Sequence, residues 1–379
     1  YYFDKKYLKN RSLLNMTDEI LKRVFQKGPR KSLKVVDLFS GCGGISLGFK
    51  LAGFEIKGMV DFDEDSLLTA KKNNLSKNIL NIDLYKKDWM DELFHHIPPN
   101  EIDIVVGGPP CQGFSLTGPR NFDDKRNILY KALFDLVKET KPKAFLIENV
   151  KGMATLYKGL IKKEIIDKFS DIGYLVNAKI LNSKDFGVPQ SRERLFYVGL
   201  KNGFFEFPEP LFNSSNYINC KDAIDDLPSL ADLKEKNVYD KNENSQYQTL
   251  IKDGSKTLTN HQPTRHTQEV INVISLVPEG GNYKDLPPGV GESRKFNEAW
   301  SRYHSLKPSK TIDTGHRNHF HYLYNRVPTV RENCRFQSFP DSFTVHGSKT
   351  SQNKQIGNAV PVLLAKVLAE RIYEQIECN

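Results

Sequence analysis

The sequence contains few cysteines, and they stand far apart. Five occur among 379 residues, at positions 42, 111, 220, 334 and 378, and no two of them form a CxxC pair. An odd and scattered set argues against a disulfide framework and against the ligand spacing of a zinc site. It predicts reduced thiols, no bound metal and a cytoplasmic protein.

Long hydrophobic runs are also missing. No stretch approaches the ~20 apolar residues that cross a bilayer, and no secretory signal pattern or internal repeat is visible. The sequence therefore predicts no membrane partner.

Positive charge is in excess. The chain has 55 Lys and Arg against 46 Asp and Glu, which gives a net charge of +9 and a pI of about 9.0. An excess of this sign favours an anionic partner such as nucleic acid, although a solvated basic surface has the same composition.

Strand and helix signals alternate between residues 34 and 200. Strands are predicted at 35–39, 55–61, 102–106, 144–147, 174–181 and 194–200. Helices are predicted at 45–52, 64–74, 127–141 and 160–169. This alternation predicts an α/β fold with a doubly wound, mostly parallel, Rossmann-like sheet.

The pattern changes after residue 203, where Asn, Asp, Pro, Gly and Lys become frequent and only 267–276 has a helical period. Two later helices are predicted at 328–336 and 361–376, and the second is expected to pack back on the first sheet. The sequence thus predicts three parts: an N-terminal arm at 1–33, a catalytic and cofactor-binding domain at 34–200 completed by 326–379, and a smaller loop-rich domain at 201–325.

A cysteine follows two prolines directly after a predicted strand, in the segment Gly108-Pro109-Pro110-Cys111-Gln112. Because each proline fixes φ and lacks an N–H donor, the segment is stiff. A thiol at the carboxyl end of a strand is well placed for nucleophilic chemistry. The alternative is a small apolar residue under a loop, which is common for free cysteines.

A glycine-rich loop, Asp37-Leu-Phe-Ser-Gly-Cys-Gly-Gly44, joins the first predicted strand to the first helix. Gly41 and Gly43 permit a tight turn close to a ligand, and Asp61 ends the next strand, where an acid binds ribose hydroxyls in nucleotide-binding folds. The pattern predicts an adenosine-containing ligand, with a plain tight turn as the alternative. Cys42 is a rival nucleophile, since helix N-termini lower thiol pKa values, but it lies among the glycines expected to surround the cofactor.

Glu148 follows the fourth predicted strand and is expected at the same sheet edge as Cys111. A thiol and a carboxylic acid together suit attack on an electron-poor ring, because the acid can protonate or hydrogen-bond the ring nitrogen. Arg192 and Arg194 alternate in an extended segment and so can share one face. A loop cap for Glu148 and surface ion pairs for the arginines are the alternatives.

Six motifs occur in a fixed order: Asp37-Leu-Phe-Ser-Gly-Cys-Gly-Gly44, Gly108-Pro-Pro-Cys-Gln-Gly-Phe-Ser115, Glu148-Asn-Val150, Gln190-Ser-Arg-Glu-Arg194, Arg331-Glu-Asn-Cys-Arg-Phe-Gln-Ser-Phe-Pro340 and Gln355-Ile-Gly-Asn-Ala-Val-Pro361. With them the chain resembles the C5-cytosine DNA methyltransferases of bacterial restriction–modification type, over residues 34–376. The resemblance implies methyl transfer from S-adenosylmethionine to C5 of a cytosine flipped out of a specific short duplex DNA sequence.

The resemblance also implies residue roles. Cys111 would add as a thiolate to C6 of the cytosine, and Glu148 would contact N3 and the exocyclic amine. Arg194, with Arg192 nearby, would hold O2 and the active-site backbone. Phe39 would pack on the adenine of the cofactor, and the other cofactor-binding residues would be Ser40, Gly41, Cys42, Gly43, Gly44, Asp61 at the ribose, Phe62, Asp88 in preference to Asp83 at the adenine amino group, Gly108, Pro110, Asn358, Ala359 and Val360.

Residues 112–127 resemble a mobile loop that closes over DNA, with expected DNA contacts at Gln112, Ser115, Thr117 and Arg126. Residues 201–325 would be the target-recognition domain, and the sequence does not say which bases they read.

Two alternatives remain open. A C5-cytosine methyltransferase acting on transfer RNA shares most of these motifs, although Gly113-Phe-Ser115 and the long recognition region favour DNA. A catalytically dead sequence-specific DNA-binding protein is disfavoured by the intact cysteine, glutamate and arginines. We expect a monomer in the bacterial cytoplasm, partnered by double-stranded DNA and by a cognate restriction endonuclease acting on the same site.

Overall fold

The computed structural model describes residues 2–110, 128–230, 237–290, 300–315 and 317–378, without the side chains of 2–13, 128, 129 and 157. The predicted site residues Cys111, Gln112, Ser115, Thr117 and Arg126 lie outside the described residues. The chain separates into two compact units. Residues 27–182, 193–209 and 364–379 form one, here called the sheet unit, and residues 1–26, 183–192 and 210–363 form the other, the loop-rich unit.

The described helices are α1 (Tyr2–Phe25), α2 (Gly44–Leu51), α3 (Glu64–Lys72), α4 (Trp89–His96), α5 (Ile128–Thr140), α6 (Leu160–Asp171), α7 (Cys220–Ile224), α8 (Gln246–Lys252), α9 (Gln268–Leu276), α10 (Val330–Phe336), α11 (Lys349–Asn358) and α12 (Val362–Glu377). The described strands are β1 (Lys34–Leu38), β2 (Glu55–Asp61), β3 (Ile79–Asn81), β4 (Ile104–Gly107), β5 (Ala144–Val150), β6 (Leu175–Asn182), β7 (Glu193–Leu200), β8 (Ser301–Arg302) and β9 (His319–Phe320).

One seven-stranded sheet organises the sheet unit, in the order β3-β2-β1-β4-β5-β7-β6. Neighbouring strands from β3 to β5 are parallel, and β7 is antiparallel to both β5 and β6. The strand order reverses between β1 and β4, where open α/β sheets place their ligands beyond the carboxyl ends of the strands. The predicted mostly parallel α/β sheet is therefore confirmed.

Apolar runs explain why this sheet forms. Val35 and Val36 of β1 and Ile104 to Val106 of β4 have no exposed surface, as expected for central strands covered on both faces. On α5, Leu133, Leu136 and Val137 are equally buried, at the spacing that puts them on one helical face.

Two short elements, β3 and α4, were not predicted from the sequence. β3 has three residues and α4 has eight, and neither is long enough for its periodicity to stand out against the polar residues around it. β3 extends the sheet beside β2 and pairs Asn81 with Asp61.

The N-terminal segment is more helical than the sequence suggested. The predicted amphipathic stretch 17–25 is the end of the longer helix α1, whose Leu21 and Val24 are buried. The Phe25 ring meets the Tyr247 ring edge-on, with centroids 5.5 Å apart. These contacts place the end of α1 inside the loop-rich unit.

The late helices divide between the two units. Residues up to 363, including α10 and α11, belong to the loop-rich unit, whereas α12 belongs to the sheet unit from Leu364 onward. There the Tyr373 ring packs edge-on against Phe54, with centroids 6.0 Å apart. The expected return of the final helix is thus observed for this portion, and the assignment of 326–363 to a catalytic domain stays a prediction.

Candidate active site

The glycine-rich loop forms a tight left-handed turn between β1 and α2. Gly41 and Gly43 have positive φ values of 52° and 95°. Glycine adopts this left-handed region without strain, whereas residues with a Cβ are strained there. A Cβ on Gly43 would lie 2.2 Å from Leu75 Cδ1, whereas one on Gly41 would meet nothing within 4 Å. Gly43 therefore allows close packing, and Gly41 leaves open space beside the backbone.

Asp61 ties this turn to the end of β2. Its Oδ2 accepts a hydrogen bond from Gly41 N at 2.7 Å, and its Oδ1 accepts from Phe62 N at 2.8 Å and Asp63 N at 3.0 Å. Burial raises the pKa of Asp61, while these three backbone donors act in the opposite direction. Because Oδ2 accepts only one of the three bonds, it keeps a lone pair that a ligand hydroxyl can use.

A second acid lies beneath the same turn. Asp37 is fully buried and accepts a 2.6 Å hydrogen bond from Ser46 Oγ. Burial raises its pKa to about 7, Ser46 opposes that rise, and the charge of Asp61 adds to it. Within the described residues, Asp37 Oδ1 and Ser40 Oγ are buried without a hydrogen-bond partner. Such atoms are costly unless something further satisfies them.

We expect the raised pKa of Asp37 to appear in the pH dependence of stability. Between its ordinary pKa of 3.8 and about 7, the folded state holds a proton that the unfolded state has released. The free energy of unfolding should therefore fall as pH rises through this window, by roughly 1.4 kcal/mol per pH unit, and level off above it. Urea titrations of the ligand-free protein and of Asp37→Asn should differ by this slope.

A surface carboxylate provides the control for that comparison. Asp167 is exposed on α6 and pairs with Lys163, so Asp167→Asn should retain the wild-type pH dependence. A wild-type protein whose stability does not fall between pH 4 and 7 relative to Asp37→Asn would contradict the buried-acid assignment.

Two aromatic residues border the turn. Phe62 is 68% exposed directly after β2, and Phe39 follows β1 with a φ of 59° while packing partly on the core. An exposed ring beside the Asp61 carboxylate has a free face for a ligand. Cys42 is 1% exposed, so its thiol is poorly accessible for the rival nucleophile role.

Asp83 and Asp88 occupy different positions after β3. Asn81 pairs with Asp61 in the sheet register, so Asp83 lies two residues beyond that pair. Its Oδ1 accepts from Tyr85 N at 3.0 Å. Asp88 is the residue before α4 and its side chain makes no capping bond. Both carboxylates are exposed.

Glu148 and Arg194 form an ion pair, with Arg194 Nε 3.0 Å from Glu148 Oε1. The register explains the contact: Glu148 lies opposite Phe196 and Val150 opposite Arg194, so the two charged residues are diagonal neighbours on one face. The pair is mostly buried, with 12% and 16% of the side chains exposed. It presents a positioned carboxylate beside a guanidinium.

Gly108 lies close to this carboxylate. A Cβ on Gly108 would stand 3.1 Å from Glu148 Oε2. The chain leaving β4 toward Pro109 and Pro110 therefore passes directly beside Glu148, and Cys111 is three residues farther along.

Arg192 belongs to the loop-rich unit and is 2% exposed. Its guanidinium donates a long hydrogen bond, 3.5 Å, to Ile312 O. Arg194, by contrast, belongs to the sheet unit, and the predicted sharing of one face by Arg192 and Arg194 stays a prediction.

Two buried glutamines link the later motifs inside the loop-rich unit. Gln190 Nε2 donates to Gln337 Oε1 at 2.9 Å, and Gln337 Nε2 donates to Ile356 O at 2.8 Å and Ala359 O at 3.1 Å. Gln337 thus holds the turn that contains Asn358, Ala359 and Val360. The motif order marked both glutamines, but it gave no sign that their side chains meet.

Comparisons with known proteins agree with these motifs. The family model described as C-5 cytosine-specific DNA methylase matches residues 33–374. The type II methyltransferase M1.HphI of Haemophilus parahaemolyticus is 40% identical over 349 residues, covering 90% of this chain and 87% of the relative. M.DdeI of Desulfomicrobium norvegicum is 36% identical over 369 residues, covering 90% and 88%.

Solved structures share the fold. A DNA modification methyltransferase encoded within an E. coli prophage has a TM-score of 0.72 at 26% identity, covering 91% of this chain and 99% of that one. The S. pombe Dnmt2 methyltransferase has a TM-score of 0.62 at 17% identity, covering 90% and 99%, and this likeness concerns the fold alone. In the described part of the chain, no helix has the length and apolarity needed to cross a membrane.

A family match over almost the whole chain and a high identity to curated methyltransferases leave one conclusion: the chain belongs to the C-5 cytosine-specific DNA methylases and is a DNA (cytosine-5-)-methyltransferase.

Proposed function

We propose that this enzyme transfers a methyl group from S-adenosylmethionine to C5 of a flipped-out cytosine in a specific short duplex sequence, through a covalent Cys111–C6 adduct. The observation that carries the proposal is the Glu148–Arg194 pair beside Gly108, three residues before Cys111. Such a pair offers an acid for the ring nitrogen and donors for the ring carbonyl, which activate C6 toward a thiolate.

The turn between β1 and α2 fits the cofactor. S-adenosylmethionine supplies an electrophilic methyl group when bound. Asp61 has acceptor capacity for ribose hydroxyls, Phe62 exposes a ring, and Gly41 leaves open space. Ser40 Oγ and Asp37 Oδ1 are buried polar atoms that lack partners among the described residues. The remaining proposed contacts are Phe39, Cys42, Gly43, Gly44, Gly108, Pro110, Asn358, Ala359 and Val360.

The residues would act in sequence on the cytosine. Glu148 holds N3 in a protonated or hydrogen-bonded state while the Cys111 thiolate adds to C6, which places electron density on C5. Arg194 keeps Glu148 oriented and binds O2, with Arg192 supporting the same backbone. After C5 gains the methyl group, loss of the C5 proton expels Cys111. Gln112, Ser115, Thr117 and Arg126 would contact the DNA around the flipped base.

We expect Asp83, not Asp88, to bind the adenine amino group. Asp83 lies two residues after Asn81, the β3 residue that pairs with Asp61. This proposal replaces our preference from sequence spacing. A hydrogen bond to a charged group contributes about 1.5–3 kcal/mol, so Asp83→Asn should weaken S-adenosylmethionine binding at least about tenfold. Isothermal titration calorimetry measures the change.

Asp88→Asn is the matched control, since it makes the same chemical change at an exposed site five residues away. It should bind the cofactor as the wild type does. Weaker binding by Asp88→Asn alone would return the role to Asp88.

The enzyme would work as a monomer in the bacterial cytoplasm and protect the site of a cognate restriction endonuclease. The similarity to type II methyltransferases supports the restriction–modification role. Size-exclusion chromatography with light scattering tests the monomer, and challenge of methylated plasmid with nucleases tests the protection.

Bisulfite sequencing of plasmid from a methylation-free host that expresses the chain tests the proposed function. Protected cytosines within one repeated short sequence are expected. Transfer RNA from the same cells serves as the second substrate, because an enzyme of the transfer-RNA type would protect a cytosine there and none in the plasmid. That outcome would overturn the proposal.

A further inference from the structure

A polar cleft lies within the loop-rich unit, apart from the residues assigned to the reaction. Its volume is about 530 Å³, and it is lined by Ser191, Asn282, Tyr283, Lys284, Lys310, Thr311 and His319. The cleft thus brings together Ser191 and two later chain segments, 282–284 and 310–319.

Hydrogen bonds donated by backbone N–H groups fix the first segment of the cleft, 282–284. Asn282 Oδ1 accepts from Lys284 N at 2.9 Å, and Asp285 Oδ2 accepts from Asn282 N at 2.8 Å. Tyr283 N donates to Trp300 O at 2.7 Å. These three hydrogen bonds fix the backbone of the turn. The side chains of Tyr283 and Lys284 extend from it and are exposed.

The second segment, 310–319, is also fixed by hydrogen bonds. His319 Nε2 lies 3.1 Å from Thr311 O, and His319 Nδ1 lies 2.9 Å from Ser301 Oγ. Since a carbonyl only accepts, Nε2 carries the proton and Nδ1 accepts from the serine. Burial lowers the pKa of His319, while the charge of Asp313 acts in the opposite direction. Thr311 Oγ1 donates to Ser191 O at 2.9 Å.

Among the seven lining residues of the cleft, Lys284 and Lys310 carry the charge. Both are exposed, and within the described residues neither forms an ion pair. Two ammonium groups that line one cleft, with the Tyr283 ring centroid 6.0 Å from Lys284 Nζ, favour an anion that is extended and carries repeated charge. Duplex DNA has one negative charge per ≈ 1.7 Å of helix axis and fits that description.

We infer that Lys284 and Lys310 bind phosphates of the substrate DNA in this cleft and hold the duplex in register. The inference rests on the proposed function, because it names a contact surface for the same substrate. Ser191 directly precedes Arg192 in the chain, so the cleft and the arginine motif share a continuous segment. The lysines act as positioning residues and make no contact with the reacting cytosine.

The salt dependence of DNA binding tests the inference. Each phosphate contact contributes about 0.9 to the slope of log K against log salt. The double variant Lys284→Ala/Lys310→Ala should therefore bind a duplex carrying the mapped methylation site with a slope smaller by about 1.8, and each single variant by about 0.9. Fluorescence anisotropy at several salt concentrations measures the slopes.

Lys138→Ala/Lys163→Ala is the matched control. These lysines lie on α5 and α6 of the sheet unit, so the control removes the same charge and should keep the wild-type slope. Equal slopes for wild type and the Lys284/Lys310 variant would overturn the cleft assignment while leaving methylation intact. A wild-type protein that neither methylates nor binds duplex DNA would overturn the proposed function, and the cleft inference with it.

Discussion

Replacing Cys111 by alanine should abolish methyl transfer and leave binding of cofactor and DNA nearly unchanged. The thiolate would form the bond to C6 that makes C5 nucleophilic, and no neighbouring group can replace a covalent nucleophile. The Glu148–Arg194 pair, by contrast, does not depend on the thiol. A tritium-transfer assay measures activity, and calorimetry and anisotropy measure the two binding steps.

A trapping experiment separates this role from a structural one. DNA with 5-fluorocytosine at the mapped target should remain covalently attached to the wild-type protein, because fluorine cannot leave C5 as a proton does. Peptide mapping should then find the adduct on Cys111 and none with Cys111→Ala. Cys378→Ala serves as the control, since Cys378 is exposed and belongs to no assigned site. Trapping on Cys42, or transfer by Cys111→Ala, would refute the mechanism.

Replacing Arg335 by methionine should destabilise the loop-rich unit by about 3–5 kcal/mol, the cost of removing one partner from a buried ion pair. Arg335 has no exposed surface, and its guanidinium bonds both Asp226 and Asp341 in addition to Ala223 O. Its loss would leave two buried carboxylates without their common cation. Urea unfolding at neutral pH measures the change.

Arg371→Met supplies the comparison at a solvated site. Arg371 pairs with Glu206 and Glu374, and all three side chains are substantially exposed. Exposed pairs contribute about 0–1 kcal/mol, so this variant should unfold close to the wild-type midpoint. If Arg335→Met were as stable as Arg371→Met, the ion pairs of Arg335 with Asp226 and Asp341 would contribute nothing to the stability of the loop-rich unit.

The predictable part of the fold is the part with long apolar runs. β1, β2, β4 and β5 and the helices between them have periods that a sequence reveals, because burial on one or both faces fixes which positions must be apolar. β3 and α4 were missed because three to eight residues carry too little periodicity. In the later part of the loop-rich unit, α9 and α10 were predicted from their periodicity, whereas the other short elements are held by long-range polar contacts and were not.

The Glu148–Arg194 pair shows where sequence reasoning about the site ends. Both residues belonged to predicted motifs, but their contact depends on the antiparallel register of β5 and β7. A shift of that register by one residue would turn Arg194 to the opposite face. The sequence had grouped Arg194 with Arg192 instead, because alternation along one strand is visible in a sequence and pairing between strands is not.

By itself the sequence determined the family and the main sheet, because the family shows in six ordered motifs and the sheet in short, regular apolar spacings. Only the tertiary structure decided which distant side chains meet. It paired Glu148 with Arg194, joined Gln190 to Gln337, buried Arg335 between Asp226 and Asp341, and placed Lys284 and Lys310 on one cleft. Such contacts follow from strand register and long-range packing, which sequence periodicity does not encode.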